Sequence, residues 1–396
     1  MKDSNKIGNY EKLGVSHSKD DVHAAIKDMD KGLYPDAFCK VMEDVTGDPE
    51  YCSIFHSDSA GTKASLAYMM HKETGNLDYF KGIVQDAIVM NVDDVLCVGA
   101  DGNALISDTI GRNKKLISGE IISVLINEHA DFAGKLSEFG FGLKLAGGET
   151  EDVGDLLRTL EVGVSLFARI PRSKVITGES VQNNDVIIGL ESCGQSTYED
   201  KYNSGIGSNG LTLARHGTLN HEYYDKYPMC YDPHLEDELV FFGKHNLLDP
   251  VKGTPLTVGE ALLSPTKTYA PILVEVLEKY RDSIHAIFHN TGGGQTKCLH
   301  FGKNRHYIKD DLLEIPPIFH VIQDSSNTSW REMFQVFNMG HRLELILPEE
   351  FAKKIMQIAS QYDVKASIIG HVEIESSLEA KNKLSLSSAY GDFEYS

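Results

Sequence analysis

Apolar runs of strand length that stop on an acid or a glycine turn, each followed by a stretch with helical spacing, recur along most of this 396-residue chain. A chain that alternates in this way can bury its apolar faces only by layering helices on sheets, which makes it a mixed α/β protein. In the first half, Tyr51 to Phe55 reads as a strand that enters Ser57-Asp58-Ser59-Ala60-Gly61-Thr62-Lys63. Tyr79 to Val98 then carries Phe80, Ile83, Val84, Ala87, Met90 and Leu96 at helical intervals. Ala104 to Ser107 is expected as a strand, Ser118 to Phe139 as a helix, and Phe141 to Ala146 as a strand ending in the turn Gly147-Gly148-Glu149-Thr150. Leu156 to Ile170 is a longer apolar segment, and the polar stretch from Pro171 to Asp185 places a boundary near residue 172, between domains 1–172 and 173–396. The second half repeats the theme with strands at Asp185–Leu190, Ile284–His289, Leu343–Leu347 and Lys365–Val372, and helices at Pro271–Tyr280, Trp330–Phe337 and Glu349–Ala359. Two excursions interrupt it, Gln195–Ser204 and Gly217–Gly253.

A formal charge of −20 argues against a nucleic-acid partner, because such binding rests on a basic face that neutralises phosphates. No run of about 18 apolar residues is present to cross a bilayer, and Met1 to Lys6 lacks the apolar core of a secretory signal. A cytoplasmic protein with no membrane partner is the expectation. The six cysteines form no C-x-x-C pair, so neither a zinc site nor a disulfide framework is indicated.

The Asp58–Lys63 turn brings together residue types that suit a metal-bound polyphosphate. Asp58 offers hard oxygen to Mg²⁺, Gly61 lets backbone N–H groups approach phosphate oxygens, Thr62 adds a hydroxyl and Lys63 a point charge. The alternative is a solvated turn after a strand. Asp86 and Asp93 lie two helical turns apart on one face, with Asp94 rotated slightly from them, and they either serve the site or face solvent. Glu149 is the carboxylate to set beside Asp58 and Asp94 on magnesium, or else an acid that caps a loop. Gly205-Ile206-Gly207-Ser208-Asn209-Gly210 matches G-x-G-x-x-G but follows its strand only after a long polar loop, so a dinucleotide fingerprint is disfavoured. Ser208 or Asn209 instead caps a helix whose amides face an anion. Thr291-Gly292-Gly293-Gly294 is a further glycine turn at a strand end, with His289 just before it as either a catalytic or a core histidine.

Taken in order, Y-E-K-L-G-V (Tyr10–Val15), D-S-A-G-T-K (Asp58–Lys63), D-x-x-x-M-x-V-D-D (from Asp86), G-G-E-T (Gly147–Thr150), G-S-N-G (Gly207–Gly210), P-T-K-T-Y (Pro265–Tyr269), H-N-T-G-G-G (His289–Gly294) and F-N-M-G (Phe337–Gly340) resemble phosphoribosylformylglycinamidine cyclo-ligase, the aminoimidazole ribonucleotide synthetase family. The resemblance implies two α/β domains, with the N-terminal sheet pairing across a homodimer to form a barrel. It also implies ATP and Mg²⁺ as cofactors, a small phosphoribosyl substrate, and ring closure of formylglycinamidine ribonucleotide in purine synthesis. By the same resemblance Asp58, Asp94 and Glu149 would hold the metal. Gly61, Thr62, Lys63, Asp86, Ser208, Asn209 and Thr291, Gly292, Gly293 and Gly294 would bind ATP or phosphate, and His289 and Lys63 would act in catalysis. The chain departs from the family pattern at Ser59 and Ala60 (usually Gly-Val), Asp93 (usually Asn), Lys267 (usually Arg), Gly154-Asp155 (usually Pro-Gly) and near Gln335, where an arginine is usual. Loss of arginines weakens bidentate phosphate recognition and bears on substrate identity more than on ATP use. A phosphotransferase of the same superfamily and a noncatalytic nucleotide-binding homologue are the competing readings.

Overall fold

The protein is described by a computed structural model that covers residues 8–16, 20–375 and 381–396; the N-terminal segment Met1 to Lys6 lies outside the described residues. Two sheets organise it. The first contains β1 (Met42–Glu43), β2 (Tyr51–Ser59), β3 (Ala104–Arg112), β4 (Leu143–Asp152) and β5 (Leu160–Pro171) in the order β1-β2-β5-β3-β4, with only the β3–β4 pair parallel. The second contains β6 (Val186–Glu191), β7 (Ala286–His289), β8 (Arg305–Lys309), β9 (His341–Leu347), β10 (Ala366–Ile374), β11 (Lys383–Ser388) and β12 (Gly391–Tyr395) in the order β12-β11-β8-β10-β6-β9-β7. This is a mixed α/β fold built on two mixed sheets.

The helix Tyr79–Leu96 is central to both. Every residue from Asp86 to Leu96 is buried, because one side packs on β2 and β5, another on the helix Gly119–Glu138, and the end meets β7 and the helix Ala270–Tyr280. A helix covered all round is a core element rather than a surface one. Its carboxylates therefore do not face solvent, and each needs a partner. The Gly119–Glu138 helix, in contrast, keeps a polar outer face and begins at Ser118, whose side chain accepts from the Ile121 N–H.

Among the described residues, helices cover one face of the first sheet. On the other face Phe55 stands opposite Phe167, and Phe167 opposite Leu105, with Phe55 61% and Leu105 45% exposed.

The expected turn at Gly147-Gly148-Glu149-Thr150 is not a turn. These residues continue β4, which pairs with β3 through Arg112 opposite Asp152. The glycines are needed inside the strand, since a Cβ on Gly148 would fall 2.3 Å from the Asp108 carboxylate and Gly147 has φ of 124°.

Candidate active site

Three turns expected to bind phosphate meet where the two sheets approach each other. β2 delivers Asp58 and then Gly61, in the left-handed region. Across from it, the Ser208 hydroxyl donates to the Ala60 carbonyl at 3.0 Å, and the Thr62 and Thr212 hydroxyls lie 3.3 Å apart. The Asn209 amide nitrogen lies 3.9 Å from where a Cβ on Gly292 would sit. The Thr291–Gly294 turn is closed by the Gly294 N–H donating to the Thr291 carbonyl at 2.9 Å. Gly294 admits no side chain, because a Cβ there would lie 2.5 Å from the Phe337 carbonyl oxygen. Gly292, Ser208, Asn209, Gly61 and Thr62 retain access to solvent. Backbone amides and hydroxyls from both halves of the chain thus line one cleft.

His289 ends β7 just before this cleft. Its Nδ1 lies 2.7 Å from Asp94 Oδ1, and because a carboxylate only accepts, Nδ1 carries the proton. Nε2 then presents a lone pair, and it has no hydrogen-bond partner among the described residues. The other Asp94 oxygen faces His56 Nε2 at 3.4 Å, while His56 Nδ1 meets Asn91 Oδ1 at 2.9 Å. Burial alone would raise the Asp94 carboxyl, but the two histidines hold it well below the usual carboxylate range. Burial, together with the Arg342 guanidinium, pushes His289 below the ordinary histidine value despite Asp94, which favours the neutral ring. An oriented neutral imidazole with a bare Nε2 is a general base in form.

Lys63 and Asp86 are placed differently from their expected roles. Lys63 is fully buried at the start of the helix Lys63–Thr74. Its ammonium lies 3.0 and 2.9 Å from the two Asp86 oxygens and donates to the Gly207 and Ser264 carbonyls at 3.0 and 2.6 Å. All its donors are engaged inside the protein, so it presents no charge to a phosphate. Asp86 is likewise enclosed, accepting also from the Thr266 N–H and hydroxyl at 2.7 and 2.6 Å. Burial raises the Asp86 carboxyl and lowers the Lys63 ammonium, and each opposes that change in the other. Asp93 does the same work further along, accepting from the Thr268 hydroxyl at 2.7 Å and the Tyr269 N–H at 3.0 Å. The P-T-K-T-Y segment is therefore pinned along the central helix.

The three expected metal ligands are not brought together. Glu149 is exposed on β4, in a row that runs Ser59, Gly163, Thr109, Glu149 across the sheet. Three strand spacings separate its backbone from that of Ser59, about 14 Å. Asp58 belongs to the neighbouring row with buried Val164 and Asp108, on the opposite, helix-covered face. Asp94 has both oxygens on histidines. Among the described residues no group of three His, Cys, Asp or Glu side chains could hold a metal ion. A three-carboxylate magnesium cage within one chain does not fit, so no catalytic step is derived through it.

The N-terminal part, residues 37–169, matches the model of the AIR synthase related protein N-terminal domain, and residues 182–381 match that of its C-terminal domain. The chain belongs to the AIR synthase related family. Among its curated relatives are the phosphoribosylformylglycinamidine cyclo-ligases of Methanocaldococcus jannaschii, 31% identical over 82% of this chain and 79% of that one, and of Methanococcus vannielii, 30% identical over 82% and 78%. The AIR synthase related fold is also seen in thiamine-monophosphate kinase from Stenotrophomonas maltophilia, with a TM-score of 0.51, 14% identity and coverage of 94% of this chain and 96% of that one. Thermotoga maritima PurL complexed with FGAR matches with a TM-score of 0.51 and 14% identity, over 88% of this chain and 45% of that one. At such identity these two likenesses speak for the fold alone.

Sequence reasoning missed Arg342 and His56. Arg342 is buried and donates through Nη2 to the Lys267 carbonyl at 2.7 Å, leaving Nε and Nη1 without partners among the described residues. A Cβ on Gly207 would lie 2.8 Å from its Nη1. The available signals were short: Arg342 follows Gly340 of F-N-M-G by two residues, and His56 precedes Asp58 by two.

Proposed function

We propose that this chain is a phosphoribosylformylglycinamidine cyclo-ligase, closing the imidazole ring of aminoimidazole ribonucleotide at the expense of ATP. The observation that carries the reading is His289, fully buried, held by Asp94 with Nε2 bare, two residues before the Thr291–Gly294 turn that lines the cleft with Ser208 and Asn209. It is supported by the named cyclo-ligases that match both halves of the chain. The substrate's amide oxygen attacks the γ-phosphorus of ATP and ADP leaves, giving a phosphorylated oxygen that can depart. The substrate's amine then forms the new C–N bond, the C–O bond breaks to release phosphate, and His289 Nε2 takes the proton from nitrogen. Amides and hydroxyls of the turns hold the phosphoryl oxygens through this sequence, so the protein acts chiefly by position and fixed dipoles. Of the three expected metal ligands only Asp58 adjoins the turns, and it would be the carboxylate to hold a nucleotide-borne Mg²⁺, whose charge would offset that of the phosphates.

The same proposal includes a cytoplasmic homodimer. The uncovered row Phe55, Phe167 and Leu105 is an apolar band on an open sheet face, and a second copy laid against it would close the barrel. No helix among the described residues is long and apolar enough to cross a membrane. The test is incubation with formylglycinamidine ribonucleotide, ATP and Mg²⁺, with chromatographic detection of aminoimidazole ribonucleotide and ADP in equal amounts. ADP accompanied by a persistent phosphorylated product, or no turnover, would overturn the assignment.

A further inference from the structure

A second cavity, of about 360 Å³, lies between the two halves of the chain, and none of Asp58, Gly61, Ser208, Asn209 or Thr291 lines it. Its size suits a small ligand. One wall is the helix Gly119–Glu138, which contributes Glu128 and Phe132; another is the Gln195–Ser204 excursion, which contributes Tyr198 and Tyr202. That excursion is a built wall. Gly194 and Asn203 exchange backbone hydrogen bonds at 2.9 and 3.0 Å, and the Tyr198 hydroxyl donates to the Thr268 carbonyl at 2.7 Å. The Glu199 carboxylate accepts from the Ser196 N–H and hydroxyl and pairs with Lys267 at 2.8 Å.

The charge of the lining selects the ligand. Five carboxylates face three ammonium groups. Lys81 is paired with Asp78 at 3.2 Å, Lys135 with Asp200 at 3.5 Å and Glu199 with Lys267 at 2.8 Å, while Glu260 is occupied in a capping box with Thr257, which leaves Glu128 and, at the Gln195–Ser204 wall, Lys201. Glu128 is half-buried, with no ion pair of its own within 4.0 Å, and burial raises its carboxyl above the ordinary value, an effect that the charges of Lys81 and Lys135 offset only in part. A phosphate is disfavoured in such surroundings, whereas a cation beside Glu128 would relieve its desolvation. The aromatic walls, with Phe139 and Tyr198 edge to face at 5.7 Å, favour a flat ring.

We propose that this cavity is a binding site, separate from the phosphate-lined cleft, for a cationic aromatic amine, with the ring among Phe132, Tyr198 and Tyr202 and the ammonium at Glu128. The proposal does not depend on the reaction carried out in the main cleft. Calorimetric titration of the full chain with tyramine and with 4-hydroxyphenylacetate, the same ring bearing the opposite charge, tests it. Tyramine should bind with a dissociation constant below about 1 mM while the acid does not. Glu128→Gln should weaken tyramine at least about tenfold, and Glu128→Lys should reverse the preference between the two probes. Equal binding of both probes, no heat from tyramine at about 10 mM, or a folded Glu128→Gln variant that binds tyramine like the parent would overturn it. Should the variants fail to fold, the two-probe comparison on the parent chain decides the matter alone.

Discussion

Replacing Lys63 by methionine separates a structural lysine from a catalytic one. Methionine fills the space of the aliphatic stem but removes the ammonium that neutralises Asp86 and bonds the Gly207 and Ser264 carbonyls. Asp86, fully buried, would keep only its two bonds from Thr266. Removing one member of a buried pair costs about 3–5 kcal/mol, because an uncompensated charge is left in a low-dielectric site. That is a large part of a typical total of about 5–15 kcal/mol. The contacts that Lys63 makes tie the first half of the chain to the second, so the loss should appear as a lower urea midpoint and as early proteolysis near residues 204–210 and 263–268. Adding Asp86→Asn should restore a substantial part of the loss, on the order of 2 kcal/mol, since the buried charge is then gone. Circular dichroism across urea for the parent, the two single variants and the double variant completes the cycle. A Lys63→Met protein within about 1 kcal/mol of the parent whose turnover has nonetheless collapsed would refute this reasoning and return Lys63 to the chemistry.

Four further outcomes are expected. His289→Asn should lower kcat roughly a hundred- to ten-thousandfold with little change in the urea midpoint, because the Asn side-chain nitrogen takes the place of Nδ1 and still donates to Asp94. Gly292→Ala should leave the midpoint unchanged, as a Cβ there meets nothing nearer than Asn209 at 3.9 Å, and should raise the KM for ATP about tenfold by obstructing the turn. Phe55→Glu should abolish the proposed dimer in sedimentation, where the parent chain is expected to run as two copies, because a charge on the Phe55-Phe167-Leu105 row cannot be buried against a second copy. Burial alone would raise the Glu344 carboxyl, but Lys309 at 2.6 Å and His341 at 3.1 Å hold it at about 2, below its ordinary 4.5. A depressed carboxyl stabilises the fold above its unfolded value and loses that contribution as pH falls through the folded one. The advantage of the parent over Glu344→Gln, on the order of 3 kcal/mol at neutral pH, should therefore vanish between about pH 4.5 and pH 2 in acid denaturation followed by circular dichroism.

The alternation that organises both sheets was legible because its strands are apolar and its helices amphipathic. β8 was not legible, since its inward residues are Arg305, Tyr307 and Lys309 while Ile308 lies on the more open side. Here the usual inside-outside pattern is reversed by a buried Lys309–Glu344 pair that only the folded sheet brings together. The same limit explains Asp86 and Asp93. Spacing put them on one helical face, but whether that face meets water depends on a segment some 180 residues later in the chain, Thr266 to Tyr269. Glu149 failed for a different reason: a Gly-Gly pair signals a turn and a close approach equally well, and Asp108 beside Gly148 made it the latter.

Lys267 shows why a departure from a motif is not by itself a loss of chemistry. Compared slot by slot, the chain has exchanged an arginine for a lysine there, and the lysine turns away to pair with Glu199 and to donate to the Cys193 carbonyl at 3.1 Å. A guanidinium nevertheless stands close by, because Arg342 on β9 donates to the carbonyl of Lys267 itself. Its planar fork keeps Nε and Nη1 uncommitted among the described residues, with Nη1 beside Gly207, and its charge disfavours protonation of His289. The P-T-K-T-Y segment thus carries a guanidinium against its backbone from a strand 75 residues later in the chain, a neighbour that motif spacing does not reveal.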